Sequence, residues 1–188
     1  PAIAAVTTNS NCGSSASVIG YSFPSNGIHA GITHSYSFQN SSADSKGTAS
    51  GTNVGAISYA TGIMGTAAQF DGSGGYISLG NAGSLSGAGN LAISVWVKTT
   101  NPNTQVIINQ RNSGTVDGEY MLNIGGSHAN VGPIAATLGK VYFMIYNGGF
   151  QFELFSNNRV DDGKWHHQSF SGGACTNGSV AFGKRLCG

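Results

Sequence analysis

The chain has 188 residues, enough for a single all-β domain with one good core. Lys+Arg number 8 and Asp+Glu 7, so 8% of residues are charged where about 25% is usual. That balance, with no basic cluster longer than Lys184-Arg185, argues against nucleic acid and anionic lipid as partners. No apolar run approaches the roughly 18 residues of a membrane helix.

Residues 1–30 hold small and polar residues in no steady period, broken by Gly13, Gly20 and Pro24, and read as an irregular N-terminal extension. Pro1 stands in place of an initiator Met and no leader pattern precedes it, as expected of a mature or excised chain. From Ile32 the texture changes. Ile32 to Phe38 alternates like a half-buried strand, and Asp44-Ser45-Lys46-Gly47 makes a turn. Past a Gly/Ala/Thr/Ser-rich connection, short strands are predicted at Ala56–Tyr59 and Ala67–Phe70. Asp71-Gly72-Ser73-Gly74 then leads into Gly75–Leu79, and a Gly/Ser/Asn loop into Leu91–Lys98. The last three runs read as an antiparallel meander. Leu91–Lys98 carries apolar residues on both faces, which predicts a central strand. Further strands are expected at Gln105–Gln110, Gly118–Ile124, Lys140–Tyr146 and Phe150–Phe155, the last two joined by a hairpin at Asn147-Gly148-Gly149. No stretch sustains a period of 3.6, so little helix is expected, and no internal repeat is visible.

Two runs carry a family resemblance. They are Phe70-Asp71-Gly72-Ser73-Gly74-Gly75-Tyr76-Ile77 with Ala92-Ile93-Ser94-Val95-Trp96-Val97-Lys98, and Asp162-Gly163-Lys164-Trp165-His166-His167. From about Ile32 to about Phe170 the chain resembles laminin-G-like domains, a branch of the concanavalin-A-like lectins. That resemblance implies an antiparallel β-sandwich of jelly-roll type over residues 31–188, with Trp96, Trp165 and His166 packed in its core. After Phe170 the family pattern is lost: Ser171-Gly172-Gly173-Ala174-Cys175 stands where another strand is expected. Gln39 stands where relatives often carry an acid.

The fold hosts enzymes, lectins and interaction modules alike, so function has to be argued from sites. Jelly-roll glucanases carry an E-x-D-x-E strand and alginate-lyase-like members an R-E-x-R strand with a Q-I-H triplet; none of these is present. Glu119 and Glu153 stand alone in apolar strands and are expected to point outward. His166 and His167, adjacent on a strand, face opposite ways and cannot chelate one ion. The implied role is therefore a non-catalytic extracellular recognition module, carbohydrate-binding or adhesive. The alternatives are a subunit of an extracellular filament or pilus that contacts copies of itself, and a polysaccharide hydrolase or lyase of the same fold.

Candidate ligand-binding residues are Tyr59, Asn109, Arg111, Asp117, Tyr120, Tyr146 and Asn147, which pair aromatic faces with amide, guanidinium or carboxylate partners for hydroxyls. Asp44, Asp71, Asp161 and Asp162 lie in turns of the kind that hold a structural Ca²⁺, which takes six to eight oxygen ligands. Three cysteines leave pairing open. Cys175 and Cys187 are the first pair to consider, with Cys12 left free, and the other two pairings remain. A charge-poor, Gly-rich chain with a terminal disulfide suits an exported bacterial protein.

Overall fold

The structure, a computed structural model, describes residues 32–80, 91–110, 119–126, 137–147 and 150–172, with backbone alone at 147, 150–152 and 171–172. The expected N-terminal extension at 1–30, all three cysteines, Arg111 and Asp117 lie outside the described residues. The fold is all-β and antiparallel, and no helix occurs among the described residues. The chain divides into two compact units, Pro1–Gly83 and Ser84–Gly188.

In the first unit, β1 (Thr52–Val54) pairs with β4 (Tyr76–Ser78), and β2 (Ile57–Thr61) pairs with β3 (Thr66–Phe70). The predicted strand at Ile32–Phe38 is not formed; it contributes one isolated bridge, Tyr36 to Asp44. Polar contacts organise this segment instead. The Asp44 carboxylate, with no exposed side-chain surface, accepts the backbone N–H groups of Ser35, Lys46, Gly47 and Ala49 at 2.9–3.3 Å. The His34 ring donates to it at 2.7 Å. Gln39, in the place of the family's acid, uses both ends of its amide. Its Nε2 donates to Met64 O at 2.8 Å and its Oε1 accepts Thr66 N–H at 3.0 Å, which clamps residues 38–40 to the β2–β3 turn. A carboxylate could make only the second of these bonds. Among the described residues, every fully buried apolar side chain belongs to the second unit.

The second unit is a two-layer sandwich. One layer is β5 (Leu91–Val97) paired with β10 (His166–Gly172). The other is a four-stranded sheet ordered β6-β7-β8-β9, from Gln105–Gln110, Tyr120–Ile124, Lys140–Asn147 and Phe150–Arg159. Strand alternation explains the core. Leu91, Ile93, Val95 and Val97 point from β5 onto Tyr120, Leu122, Ile124, Val141, Phe143 and Ile145 of the facing sheet. Phe170 stacks on Phe143 with ring centroids 5.2 Å apart. On the opposite face of the four-stranded sheet, Met121, Tyr142 and Met144 form a second buried cluster flanked by Tyr146 and Phe155.

The expected meander of β3, β4 and β5 is not formed: these strands pair with β2, β1 and β10. β2 and β3 close through a tight turn in which Gly65, at φ +73°, leaves no room for a side chain beside Gln39. β5 is also not a doubly covered central strand, since among the described residues β10 is its one partner and positions 92, 94, 96 and 98 are exposed. The β8–β9 hairpin forms as expected, but β9 runs on to Arg159 through a register shift. There the Ser156 hydroxyl accepts the Val141 N–H at 2.9 Å and donates to Asn158 O at 2.6 Å.

Candidate functional site

The antiparallel register of β5 and β10 sorts their side chains without ambiguity. His167 pairs with Trp96, Gln168 with Val95, Ser169 with Ser94 and Phe170 with Ile93. Directly opposed residues share a face. Since Val95, Ile93 and Phe170 are in the core, Trp96, Ser94, His167 and Ser169 lie on the outer face. Continuing the alternation by one residue adds Lys98 and Trp165.

Both tryptophans therefore depart from the expected core positions. Trp96 is 39% exposed and Trp165 is half-buried, outside the core cluster. The cause is parity: the even positions of β5 carry Ser94 and Lys98, whose hydration drives that whole face outward, and Trp96 goes with them. His166 lies on the inner side at the end of its strand, half-buried, and donates to Asp162 Oδ1 at 2.7 Å.

The outer face is ordered by side-chain contacts. The Trp96 and His167 rings lie 4.9 Å apart at 41°. Ser94 Oγ and His167 Nε2 share a hydrogen bond of 2.8 Å, which fixes the imidazole beside the indole. Burial pushes the His167 pKa below its ordinary value, so the ring is neutral near pH 7.

The residues singled out from sequence are distributed differently. Tyr120 is 3% exposed and part of the core, because its neighbours Leu122 and Ile124 share its inward parity. Tyr146 packs against the second cluster. Asn109 is exposed on β6, and the side chain of Asn147 lies outside the described residues. Tyr59, in the first unit, has its hydroxyl bonded to Ser42 Oγ at 2.9 Å and Asn53 Nδ2 at 3.3 Å. Glu119 is buried at 4% exposure, not outward as expected, whereas Glu153 is exposed and accepts the Tyr142 hydroxyl at 2.9 Å.

The four turn aspartates each serve a local structure. Besides the Asp44 loop, Asp71 caps its own turn by accepting the N–H of Ser73 at 2.9 Å and that residue's hydroxyl. Asp161 receives Arg159 through Nε at 2.9 Å and Nη2 at 2.5 Å. Asp162 accepts His166 and the Lys164 N–H. These donors hold the Asp71, Asp161 and Asp162 carboxyls below the usual carboxylate range. Among the described residues no three His, Cys, Asp or Glu side chains gather as a metal site.

A laminin-G family model of the concanavalin A-like lectin/glucanases superfamily matches residues 71–177, more than half of the chain. The chain belongs to that superfamily. The matched segment runs from the Asp71 turn through β10 and so includes every residue of the outer aromatic face. The superfamily's own description joins lectins with glucanases, and so covers both binding and cleavage of carbohydrate. No curated protein and no solved structure matches the chain significantly. Among the described residues no helix is long and apolar enough to cross a membrane.

Proposed function

We propose that this protein is a non-catalytic recognition module that binds carbohydrate outside the cell, using the outer face of β5 and β10. The observation that carries this reading is the Trp96 indole, 39% exposed and held against His167. A sugar ring presents an apolar C–H face and a rim of hydroxyls. It is matched by a flat, exposed aromatic with small polar groups around it. Trp96 supplies the flat surface at low cost in side-chain entropy, because its partner has already fixed the ring. Ser94, Ser169 and the neutral His167 imidazole supply hydroxyl partners that both donate and accept. Small residues at Ala92 and Ser94 leave the face open on one side of the indole.

The chemistry of the carboxylates supports binding over cleavage. Glycosidases need two free carboxyl groups facing one bond, and the four turn aspartates are each engaged in local hydrogen bonds. The test is a glycan array on the intact chain, followed by titration of hits with tryptophan fluorescence as the readout. Binding with a fluorescence change, lost in Trp96→Ala, is expected. Silence across plant, algal and host glycans, or hits that Trp96→Ala leaves intact, would overturn the proposal.

A further inference from the structure

The outer face of β5 and β10 also carries charge information. Its residues are Ala92, Ser94, Trp96 and Lys98 on one strand and Trp165, His167 and Ser169 on the other. Lys98 is the one formal charge among them. Among the described residues no carboxylate shares the face: Asp161 and Asp162 sit in the turn before β10, bonded to Arg159 and His166. The nearby cations are committed there too, with Arg159 on Asp161 and Lys164 Nζ 3.8 Å from Asp162. Lys98 is exposed and, among the described residues, makes no ion pair.

We infer that the saccharide this face recognises is anionic, carrying a carboxylate or sulfate that pairs with Lys98 while a sugar ring stacks on Trp96. The inference rests on the carbohydrate reading above and specifies its ligand class. Lys98 is two residues from Trp96 on the same face, about 6.6 Å along the strand. A ring substituent of a sugar stacked on the indole falls within reach of an ammonium on a four-carbon stem. In a chain with only 8 Lys+Arg, an exposed lysine two residues along the strand from an exposed indole is charge complementarity for an acidic group. An uncharged sugar could accept a hydrogen bond from the ammonium but would gain no charge pairing.

The experiment titrates the intact chain with an oligogalacturonate, a sulfated galactan oligomer and an uncharged cello-oligosaccharide, by fluorescence and calorimetry. At least one anionic oligomer is expected to bind more tightly than the uncharged one, and more weakly as salt rises. Lys98→Gln should weaken the anionic ligand by roughly five-fold, the scale of a solvent-exposed ion pair, and leave the uncharged one unchanged. Lys98→Arg should restore binding. Trp96→Ala should weaken the bound ligands by about ten-fold or more. Both positions tested are on an exposed face, and thermal melts verify folding. If Trp96→Ala abolishes binding but Lys98→Gln does not alter it, the anionic class is wrong and the stacking site stands. If Trp96→Ala alters nothing, the stacking site itself is wrong. Equal affinity for charged and uncharged oligomers, or no binding to either anionic probe, overturns the inference.

Discussion

Asn123 offers a direct test of how the second unit is built. It lies in the middle of β7, at 0% exposure, between Val106 on β6 and Tyr142 on β8. Among the described residues neither its Oδ1 nor its Nδ2 has a hydrogen-bond partner. Its face is that of Met121 and Met144, an apolar setting for an amide. Leaving a buried polar group unsatisfied costs about 1–3 kcal/mol, whereas an apolar group of the same shape carries no such penalty. Leucine shares asparagine's branching at Cγ, so Asn123→Leu removes the penalty without changing the shape of the side chain. Its larger methyl groups return part of the gain, since overpacking a well-packed core typically costs about 1–3 kcal/mol.

The net expectation is a second unit more stable by about 1 kcal/mol. Both tryptophans belong to that unit, so urea unfolding followed by their fluorescence reports on it alone. With a slope of about 1–3 kcal/mol per molar urea, the midpoint should rise by about 0.3–1 M with the slope unchanged. A fall in midpoint would refute the reasoning. It would mean that the amide makes hydrogen bonds in the folded state that outweigh the gain from an apolar replacement.

Two further predictions concern the loops. Gly139 has φ +68°, and a Cβ there would collide with the Asp161 carboxylate, so Gly139→Ala should destabilise the second unit by more than about 1 kcal/mol, read from the same urea curve. For Asp44, burial works to raise the pKa. The hydrogen bonds from Gly47 N–H, His34, Ser35 N–H and Lys46 N–H overcome this and hold the carboxyl well below its usual range. A depressed folded-state pKa stabilises above the unfolded value, about 3.9, and that contribution is lost as pH falls further toward the folded value. Asp44→Asn should therefore lower the melting temperature at pH 7 and narrow the gap to wild type as pH drops below about 4. A constant gap across that range would refute the assignment.

Much of the fold can be read from single positions. Gln105–Gln110 is observed with the expected limits, and β5 ends within one residue of expectation, because its odd positions hold an unbroken Leu, Ile, Val, Val set. The pairing of strands is less legible, since it depends on residues far apart in the chain. β5 joins β10 across some seventy positions, and no local signal fixes that choice. β1 escapes prediction because Thr-Asn-Val, three exposed residues within a Gly/Ala/Thr/Ser-rich connection, carries no apolar alternation. The orientation of Trp96 was legible in principle. Ser94 and Lys98 share its parity, as His167 and Ser169 share that of Trp165. Hydrophobicity counted residue by residue hides this, because an indole counts as core whichever way it points.

The same parity links stability to recognition. β5 and β10 each divide into an inner set that seals the sandwich and an outer set that forms the aromatic face. A strand has a period of two, so a shift of one residue in either would bring Ser94, Lys98 and His167 into the core and expose Ile93, Val95 and Phe170. Burying a lysine, a serine or an imidazole without partners would cost far more than the few tenths of a kcal/mol by which surface changes usually matter. The outer face is therefore held in register by the inner one. Trp96 can remain half in water, at some expense in hydrophobic burial, because five apolar residues on the hidden side of the two strands, packed against the facing sheet, fix where it points.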